Sequence, residues 1–221
     1  MTDAGRIIWE KQAERVCQAL RRNRMEAQYV ATRQEVAPLV ESLLHEGDTV
    51  ATGGSVTLAE TGVLDLLKSG RYRYVDRTAP GLTPEERRQA FANTAQADVF
   101  FCSCNAVTLA GELYNVDGNG NRVSAIAHGP RSVILVVGMN KVVADLPAAV
   151  RRVKTVAAPQ NGVRLGLSTP CALTGVCAAV NGGMTDGCAS EQRMCCQYLV
   201  SGRQREPGRI RVILVGEPLG Y

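Results

Sequence analysis

The chain has 221 residues, of which 45% are hydrophobic and 21% are charged, and its formal net charge is +4. This composition is typical of a globular protein rather than a disordered or membrane protein, and the length suits one large domain or two small ones. The charge is too small, and the basic residues too scattered, to indicate nucleic-acid binding. No apolar run approaches the ~20 residues of a membrane span, and the N-terminus is too charged for a signal peptide, so we expect a cytoplasmic protein without a membrane span.

The N-terminal part of the chain predicts a helical arm. Apolar residues recur at helical spacing through most of residues 1–30, and Lys, Arg and Glu occupy the other face, which is typical of an amphipathic helix. Residues 27–31 are a candidate for a short extended segment. Thr32 is placed to cap a helix over 33–44, and Glu35 stands where it completes a capping box.

A glycine-rich loop follows the next candidate strand. Residues 49–51 predict a short strand that leads into this loop, and a helix over 58–69 is expected to follow. In such an arrangement free backbone N–H groups and the helix dipole accept an anion, and glycines let the backbone approach it closely. The loop matches neither the P-loop nor the dinucleotide-binding fingerprint, and a simple N-cap is the alternative interpretation. It contributes five candidate ligand-binding residues: Thr52, Gly53, Gly54, Ser55 and Thr57.

The stretch 97–143 alternates short apolar runs with turns rich in Gly and Asn. Three runs are short and rich in β-branched or small residues, which favours strands: 99–104, 123–127 and 133–137. A turn cluster over 115–121 lies between the first two runs, where Asn and Gly tolerate positive φ and their dipoles can face a polar ligand. Asp117 and Asn119 are candidate ligand contacts in this cluster. A hairpin turn without chemistry is the alternative.

Helices and strands alternate along most of the chain. The other expected elements are strands over 72–76 and 209–216, a helix over 84–95 capped by Thr83, and a helix over 146–155 that ends at 157–159. This alternation predicts an α/β fold, with an open, mostly parallel sheet and helices on both faces. Residues 31–221 are expected to form a single domain that includes a cysteine-rich segment, 170–200.

That cysteine-rich segment holds five of the eight cysteines and almost no periodic apolar pattern, so it needs another source of order. In a reducing cytoplasm such cysteines indicate thiols or metal ligands rather than disulfides. Four thiolates are enough ligands to bind Zn²⁺ or an iron–sulfur cluster. The spacing of the cysteines fits neither a zinc ribbon nor a ferredoxin run. Small buried thiols that bind no metal are the alternative interpretation. The candidate ligands are Cys171, Cys177, Cys188 and Cys195, with Cys196 as an alternative to Cys195.

Four segments together resemble the LUD-domain family of lactate-utilisation proteins: TGGSVTLAETG, ADVFFCSCNAVTLAGELYNVDGNGNRVSAIAHGP, VGMNKVVADLPAAVRRVKTVAAP and PCALTGVC. The resemblance spans about residues 8–200 and includes order, spacing and several multi-residue identities. It implies a fold related to ribose-5-phosphate isomerase and the CoA-transferases, with the site at the strand ends. It also implies a role in bacterial oxidation of L-lactate to pyruvate, as a subunit or accessory protein beside iron–sulfur oxidoreductase partners.

The resemblance implies roles for individual residues as well. In the wider fold the Gly-Gly-Ser loop is the phosphate-contacting turn, and Asn105 stands where related isomerases carry a catalytic aspartate. Because an amide cannot act as a general base, isomerase chemistry would need another carboxylate, of which Asp117 is the nearest. Lys141 is placed to pair with an anionic carboxylate or phosphate, or else is a solvated lysine. CoA-transferase chemistry would need a nucleophilic glutamate, for which Glu112 is the candidate.

Three functions follow as hypotheses: a LUD-type subunit that binds a small anionic ligand, an isomerase or CoA-transferase-like enzyme acting on a phosphorylated or thioester substrate, and a redox module with iron–sulfur or zinc in its tail. The first is preferred, because Asn105 argues against the second and the cysteine spacing against the third. An oligomer is compatible with the sequence. Because parallel strands end at one edge of a sheet, five side chains are expected to line one pocket: Ser55, Asn105, Asp117, Asn119 and Lys141.

Overall fold

The computed structural model describes residues 2–77 and 79–221. Within these ranges the strands are β1 Glu26–Val30, β2 Thr49–Thr52, β3 Arg73–Val75, β4 Val99–Cys102, β5 Ala106–Thr108, β6 Leu113–Asp117, β7 Ser132–Gly138, β8 Val142–Val143, β9 Gln197–Ser201 and β10 Ile210–Val215. The helices are α1 Asp3–Arg22, α2 Val36–Ser42, α3 Val56–Glu60, α4 Val63–Leu67, α5 Pro84–Ala95, α6 Asn121–Ala127, α7 Leu146–Arg152, α8 Ala158–Arg164 and α9 Pro170–Thr174. Short 3₁₀ turns occupy Arg33–Glu35 and Met139–Lys141, and a π-helical turn occupies Val153–Ala157.

The central sheet has six strands in the order β1-β10-β7-β4-β2-β3, and every neighbouring pair runs parallel. Strands β4, β7 and β10 are nearly continuous apolar runs, and almost all of their residues are buried. Such runs are typical of strands that are covered on both faces. The predicted α/β class, with a mostly parallel sheet, is therefore confirmed.

Helices cover both faces of this sheet. On one face α1 buries Val16 and Leu20 in the same core as Leu135 of β7. On the other face Val40 of α2 and Leu58 of α3 pack in a second core. The chain passes from α1 directly into β1, an edge strand of the sheet that pairs with β10. In residues 2–77 and 79–221, no helix has the length and apolar character needed to cross a membrane.

A second sheet, in the order β8-β5-β6-β9, lies beside the first. Its β5–β6 hairpin turns at Gly111, whose φ is +79° and where an added Cβ would lie 2.7 Å from the backbone of both Ala19 and Leu20. The hairpin therefore packs directly against α1. Strand β9, from the C-terminal part of the chain, pairs antiparallel with β6. A small core beneath this sheet includes Tyr114 and Ala149.

Two sequence-based expectations about the middle of the chain are wrong. Residues 123–127, expected as a strand, lie in α6. A five-residue apolar run is compatible with the periodicity of a strand or of a helix. Here the Asp117 carboxylate accepts hydrogen bonds from the backbone N–H groups of Arg122 and Val123, which favours the helix. The helix expected over 58–69 is instead two short helices, separated at Gly62, whose φ of +70° interrupts the helix.

The helix that begins at Leu146 is longer than expected. It was expected to end at residues 157–159, but it continues through the π-helical turn into α8. Pro159 occupies the first turn of α8, where proline is tolerated because its nitrogen needs no hydrogen. Single π turns inside helices occur frequently at functional sites.

Candidate functional site

A cavity of about 410 Å³ opens where the central strands end. Its walls include the loops that follow β2 and β4, the 3₁₀ turn after β7 and the turn that follows β6. Ligands of open α/β sheets bind at such a place, outside the carboxyl ends of the strands. The cavity is lined by seven of the nine candidate ligand-binding residues, Gly54, Ser55, Thr57, Asn105, Asp117, Asn119 and Lys141, and also by the candidate metal ligand Cys195.

Two other candidates in the glycine-rich loop, Thr52 and Gly53, lie behind the cavity wall. The Thr52 hydroxyl lies 2.9 Å from the Tyr74 hydroxyl, within hydrogen-bond distance. The Gly53 N–H donates to a β4 carbonyl, and an added Cβ at this position would lie 3.2 Å from Cδ of Arg122. The glycine therefore leaves room for the Arg122 side chain. Ser55 is the N-cap of α3, and its Oγ accepts from the Leu58 N–H at 3.3 Å.

Arg122 occupies the centre of one wall and was not singled out from the sequence. Its Nη1 donates to the Ser103 carbonyl at 2.9 Å and to Asn115 Oδ1 at 2.6 Å. Its Nη2 donates to Asn105 Oδ1 at 2.8 Å and to the Val116 carbonyl at 2.7 Å. All four acceptors are neutral, so the guanidinium keeps its charge next to the cavity. The signal that could have found it is an arginine directly after the polar turn cluster.

Asn105 and Asp117 have their side-chain oxygens engaged. Asn105 Oδ1 accepts from Arg122 and also from the Val116 N–H at 2.8 Å, so it holds the arginine and the strand β6 in place. The Asp117 carboxylate accepts from four backbone N–H groups, those of Asn119, Gly120, Arg122 and Val123, at 2.9 to 3.3 Å. A carboxylate with this many donors shapes the turn and caps α6, and it is poorly available as a general base.

Lys141 is buried, with a relative exposure of 2%. Its Nζ donates to Thr57 Oγ1 at 2.9 Å and to Ser103 Oγ at 3.0 Å. Burial lowers the pKa of this ammonium from 10.5 to about 8; the Cys104 thiol opposes the shift, while the positive charges of Arg152 and Arg122 add to it. Lys141 is therefore a buried amine held between two hydroxyl groups, not a solvated lysine.

The cavity has a strong excess of positive charge. Arg77, Arg122, Lys141 and Arg164 line it, whereas Asp117 supplies the one carboxylate among its described lining residues. Within residues 2–77 and 79–221, none of these four cations forms an ion pair with a carboxylate. Asp117 interacts electrostatically with Arg77, but one carboxylate against four cations leaves a net positive charge, so the cavity is suited to an anion.

The long interrupted helix contributes an apolar wall to the cavity. Val153 and Ala157 of the π-helical turn, with Ala158 of α8, form this wall. The same helix also supplies two polar lining residues, Asn161 and the cation Arg164, and the Tyr221 hydroxyl donates to Asn161 Oδ1 at 3.0 Å. A ligand in this cavity would therefore meet methyl groups as well as cations.

A model of the LUD domain matches residues 13–215 of the chain. The chain belongs to the LUD-domain family. A crystal structure of a DUF162 family protein from Deinococcus radiodurans is similar in fold, with a TM-score of 0.50 and 16% sequence identity over 95% of this chain and 98% of that chain. A crystal structure of eIF2B beta from Chaetomium thermophilum aligns with 51% of this chain and 39% of that chain, at 18% identity and a TM-score of 0.35, which is too low to indicate a shared fold. No curated protein matches the chain.

The cysteine-rich segment of this LUD-domain protein forms a second, smaller cavity. Its four candidate metal ligands, Cys171, Cys177, Cys188 and Cys195, all line this cavity, whose volume is about 30 Å³. Burial, with smaller contributions from the other three cysteines, raises the pKa of the Cys195 thiol to about 11, although the positive charge of Arg193 opposes the shift. In the part of the chain that the structure describes, no group of three or more Cys, His, Asp or Glu side chains is arranged to hold a metal ion.

Metal binding by these cysteines therefore stays a prediction from the sequence. Elemental analysis and an absorption spectrum of the LUD-domain protein, purified anaerobically, would decide it. Stoichiometric iron with sulfide would identify an electron-transfer site, and zinc would identify a structural site. Protein free of both metals would leave the four cysteines as buried or partly buried thiols.

Glu112, the candidate CoA-transferase nucleophile, lies away from the cavity lining. Its Oε2 accepts from Thr108 Oγ1 at 2.9 Å within the β5–β6 hairpin. Glu112 is therefore not placed to act on a ligand in the cavity, and Asn105, which lines the cavity, carries an amide that cannot act as a general base.

Proposed function

We propose that this LUD-domain protein binds a small anionic ligand, a carboxylate or a phosphate, in the cavity at the strand ends. The observation that carries the proposal is the set of four cations around one cavity with a single, already engaged carboxylate among the described lining residues. Hydrogen bonds between a charged donor and a charged acceptor are about twice as strong as neutral ones, so such a wall favours anions over neutral molecules.

We further propose that the protein acts in a bacterial system that oxidises L-lactate to pyruvate. Both compounds are small carboxylates, and each carries a methyl group that suits the apolar wall formed by the π-helical turn and α8. Oxidation of lactate releases two electrons, which we assign to iron–sulfur partner subunits. All eight cysteines are unpaired, which is compatible with a role in the reducing cytoplasm.

Calorimetric titration with inorganic phosphate, L-lactate and pyruvate tests the binding proposal. Substituting Arg77→Gln removes a cation from the cavity wall, and we expect affinity for the bound anion to fall about 10- to 100-fold, the equivalent of one charged hydrogen bond. Arg73→Gln is the matched control, because Arg73 lies on strand β3, a few residues before Arg77, and is exposed outside the cavity. The Arg73→Gln variant should bind the anion with the affinity of the wild-type protein.

Two results would overturn the proposal. Wild-type protein that binds none of the three anions would exclude a general anion site. Equal loss of affinity in the Arg77→Gln and Arg73→Gln variants would show that binding depends on overall charge and not on the cavity.

A further inference from the structure

A serine and a lysine meet at the cavity wall in a geometry that anion binding alone does not explain. Ser103 Oγ lies 3.0 Å from Lys141 Nζ, and both residues line the cavity. Both are more than nine-tenths buried. The amine is directed at two hydroxyl groups, and within the described chain it has no carboxylate partner that would hold it as an ammonium ion.

We propose that Ser103 is a nucleophile activated by Lys141 and that the cavity transfers an acyl group from an anionic ester or thioester to water. Serine paired with lysine is one of the recurring arrangements in which a base within hydrogen-bond distance activates a hydroxyl group. The anionic character of the substrate rests on the proposed function, because the remaining cations of the cavity would bind its charged group.

The two hydroxyl groups beside the amine are not equivalent. Thr57 is fully buried, and its hydroxyl donates to the Leu219 carbonyl at 3.4 Å while it accepts from Lys141. Because Thr57 has no exposed surface, it is a positioning residue. Ser103 keeps a relative exposure of 8%, and its hydroxyl lies 3.5 Å from the Cys104 carbonyl, the outer limit of a hydrogen bond. Ser103 is therefore the hydroxyl that a substrate can reach and that can transfer its proton to the amine.

The surroundings favour a neutral amine that can accept this proton. Desolvation, Arg152 and Arg122 lower the pKa of Lys141, while Cys104 and Glu60 raise it, and the balance near 8 leaves a substantial neutral fraction at mildly alkaline pH. Arg122, which lines the cavity, also favours negative charge on the tetrahedral oxygen that forms during acyl transfer.

The reaction balances with water as the only co-reactant. Ser103 Oγ bonds to the acyl carbon, and its proton passes to Lys141 Nζ. The tetrahedral intermediate expels an alcohol or thiol, which leaves with that proton, and an acyl-serine ester remains. Water then attacks the ester and gives a proton to the amine. The C–Oγ bond breaks, the carboxylic acid departs, and Ser103 recovers its proton.

Labelling with diisopropyl fluorophosphate tests this inference, because an activated serine takes up the phosphoryl group and releases fluoride. We expect a single adduct in the intact mass spectrum, mapped to Ser103, and a labelling rate that rises with pH with a midpoint near 8. Ser103→Ala should abolish the adduct, and Lys141→Met should slow labelling by at least about 100-fold. Ser124→Ala is the control, because Ser124 is exposed on α6 outside the cavity, and it should label at the wild-type rate.

Absence of an adduct on wild-type Ser103 would overturn the inference, and so would a Lys141→Met variant that labels at the wild-type rate. The pH profile of the wild-type protein requires no variant to fold, and a rate independent of pH between 6 and about 9 would also contradict a lysine base. Phosphate titration of Ser103→Ala separates the two proposals, because the hydroxyl carries no charge. Labelling of the wild-type protein without anion binding would overturn the proposed function, and with it the anionic character of the substrate, but would leave the activated serine. Anion binding without labelling of the wild-type protein would overturn this inference alone.

Discussion

Substitution of Lys141 by methionine should change how stability depends on pH. Methionine has about the same length as the lysine stem and carries no charge, so Lys141→Met removes the buried amine and leaves most of the packing. In the wild-type protein Lys141 has a relative exposure of 2%, and burial lowers the pKa of its ammonium group from 10.5 to about 8. A buried group whose charged form is disfavoured in the folded state lowers the free energy of unfolding wherever that charged form is populated.

The sign follows from proton binding. Below pH 8 both the folded and the unfolded chain carry the proton, and the full cost of burying the charge, about 3 kcal/mol, reduces stability. Between 8 and 10.5 the unfolded chain binds more protons than the folded chain, so this contribution to stability rises with pH. From pH 7 to pH 9.5 the gain is about 2 kcal/mol.

The hydrogen bonds from Nζ to Thr57 and Ser103 act in the other direction. Each contributes about 1 kcal/mol net, and the variant loses both. At pH 7 the stability lost with the two hydrogen bonds is smaller than the stability gained by removing the buried charge. We therefore expect Lys141→Met to be about 1 kcal/mol more stable than the wild-type protein. At pH 9.5 most of the relief has disappeared, and we expect the variant to be about 1 kcal/mol less stable.

Urea unfolding of both proteins at pH 7 and pH 9.5 measures the effect. Several buried cysteines have pKa values raised by burial, Cys102 to about 12 among them, and their titration lowers stability above pH 9 in both proteins. The comparison therefore uses the difference between variant and wild type at each pH, in which the titrations of cysteines that do not interact with Lys141 cancel to first order. The charge of Lys141 lowers the pKa of Cys102 and of Cys104, so these two thiols ionise at higher pH in the variant. A difference that stays constant within about 0.5 kcal/mol from pH 7 to pH 9.5 would refute the reasoning.

Two further substitutions test the packing of the β5–β6 hairpin against α1 and the charge of the cavity. Gly111→Ala forces a side chain into positive φ and against the backbone of α1, so we expect a loss of about 3 kcal/mol or more in urea unfolding. Gly47→Ala, with the same sign of φ and open space around it, should lose only about 1 kcal/mol, and equal losses would show that the contact with α1 is unimportant. Asn105→Asp places a carboxylate against Arg122, so we expect phosphate affinity measured by calorimetry to fall about tenfold. We expect the variant to show no sugar-phosphate isomerase activity. Unchanged phosphate affinity would contradict the electrostatic description of the cavity.

Much of the fold follows from local patterns in the sequence. The continuous apolar runs of β4, β7 and β10 predict strands covered on both faces, and the structure places them inside a parallel sheet. The capping box of Thr83 and Glu86, with proline in the first turn, predicts the start of α5, and both of its hydrogen bonds are present. These features are predictable because the interacting groups lie within a few residues of one another.

Other elements depend on contacts that the local pattern does not contain. The run 123–127 is compatible with a strand, and only the carboxylate of Asp117, together with the surrounding tertiary structure, makes it a helix. Strand β9 offers little apolar pattern, and its pairing with β6 decides its conformation. The continuation of the helix through Pro159 likewise depends on the π-helical turn before it.

The sequence by itself determined the parallel α/β class and pointed to the strand ends as the site, because both follow from the order of elements and the positions of polar residues after strands. Only the tertiary structure decided which side chains act together there. Ser103 and Lys141 are separated by 38 residues, and Lys141 and Thr57 by 84. Arg122 reaches acceptors on two other segments of the chain, the loop after β4 and strand β6. Contacts between such distant residues depend on how the loops after different strands pack against one another, and no local pattern of residues specifies that packing.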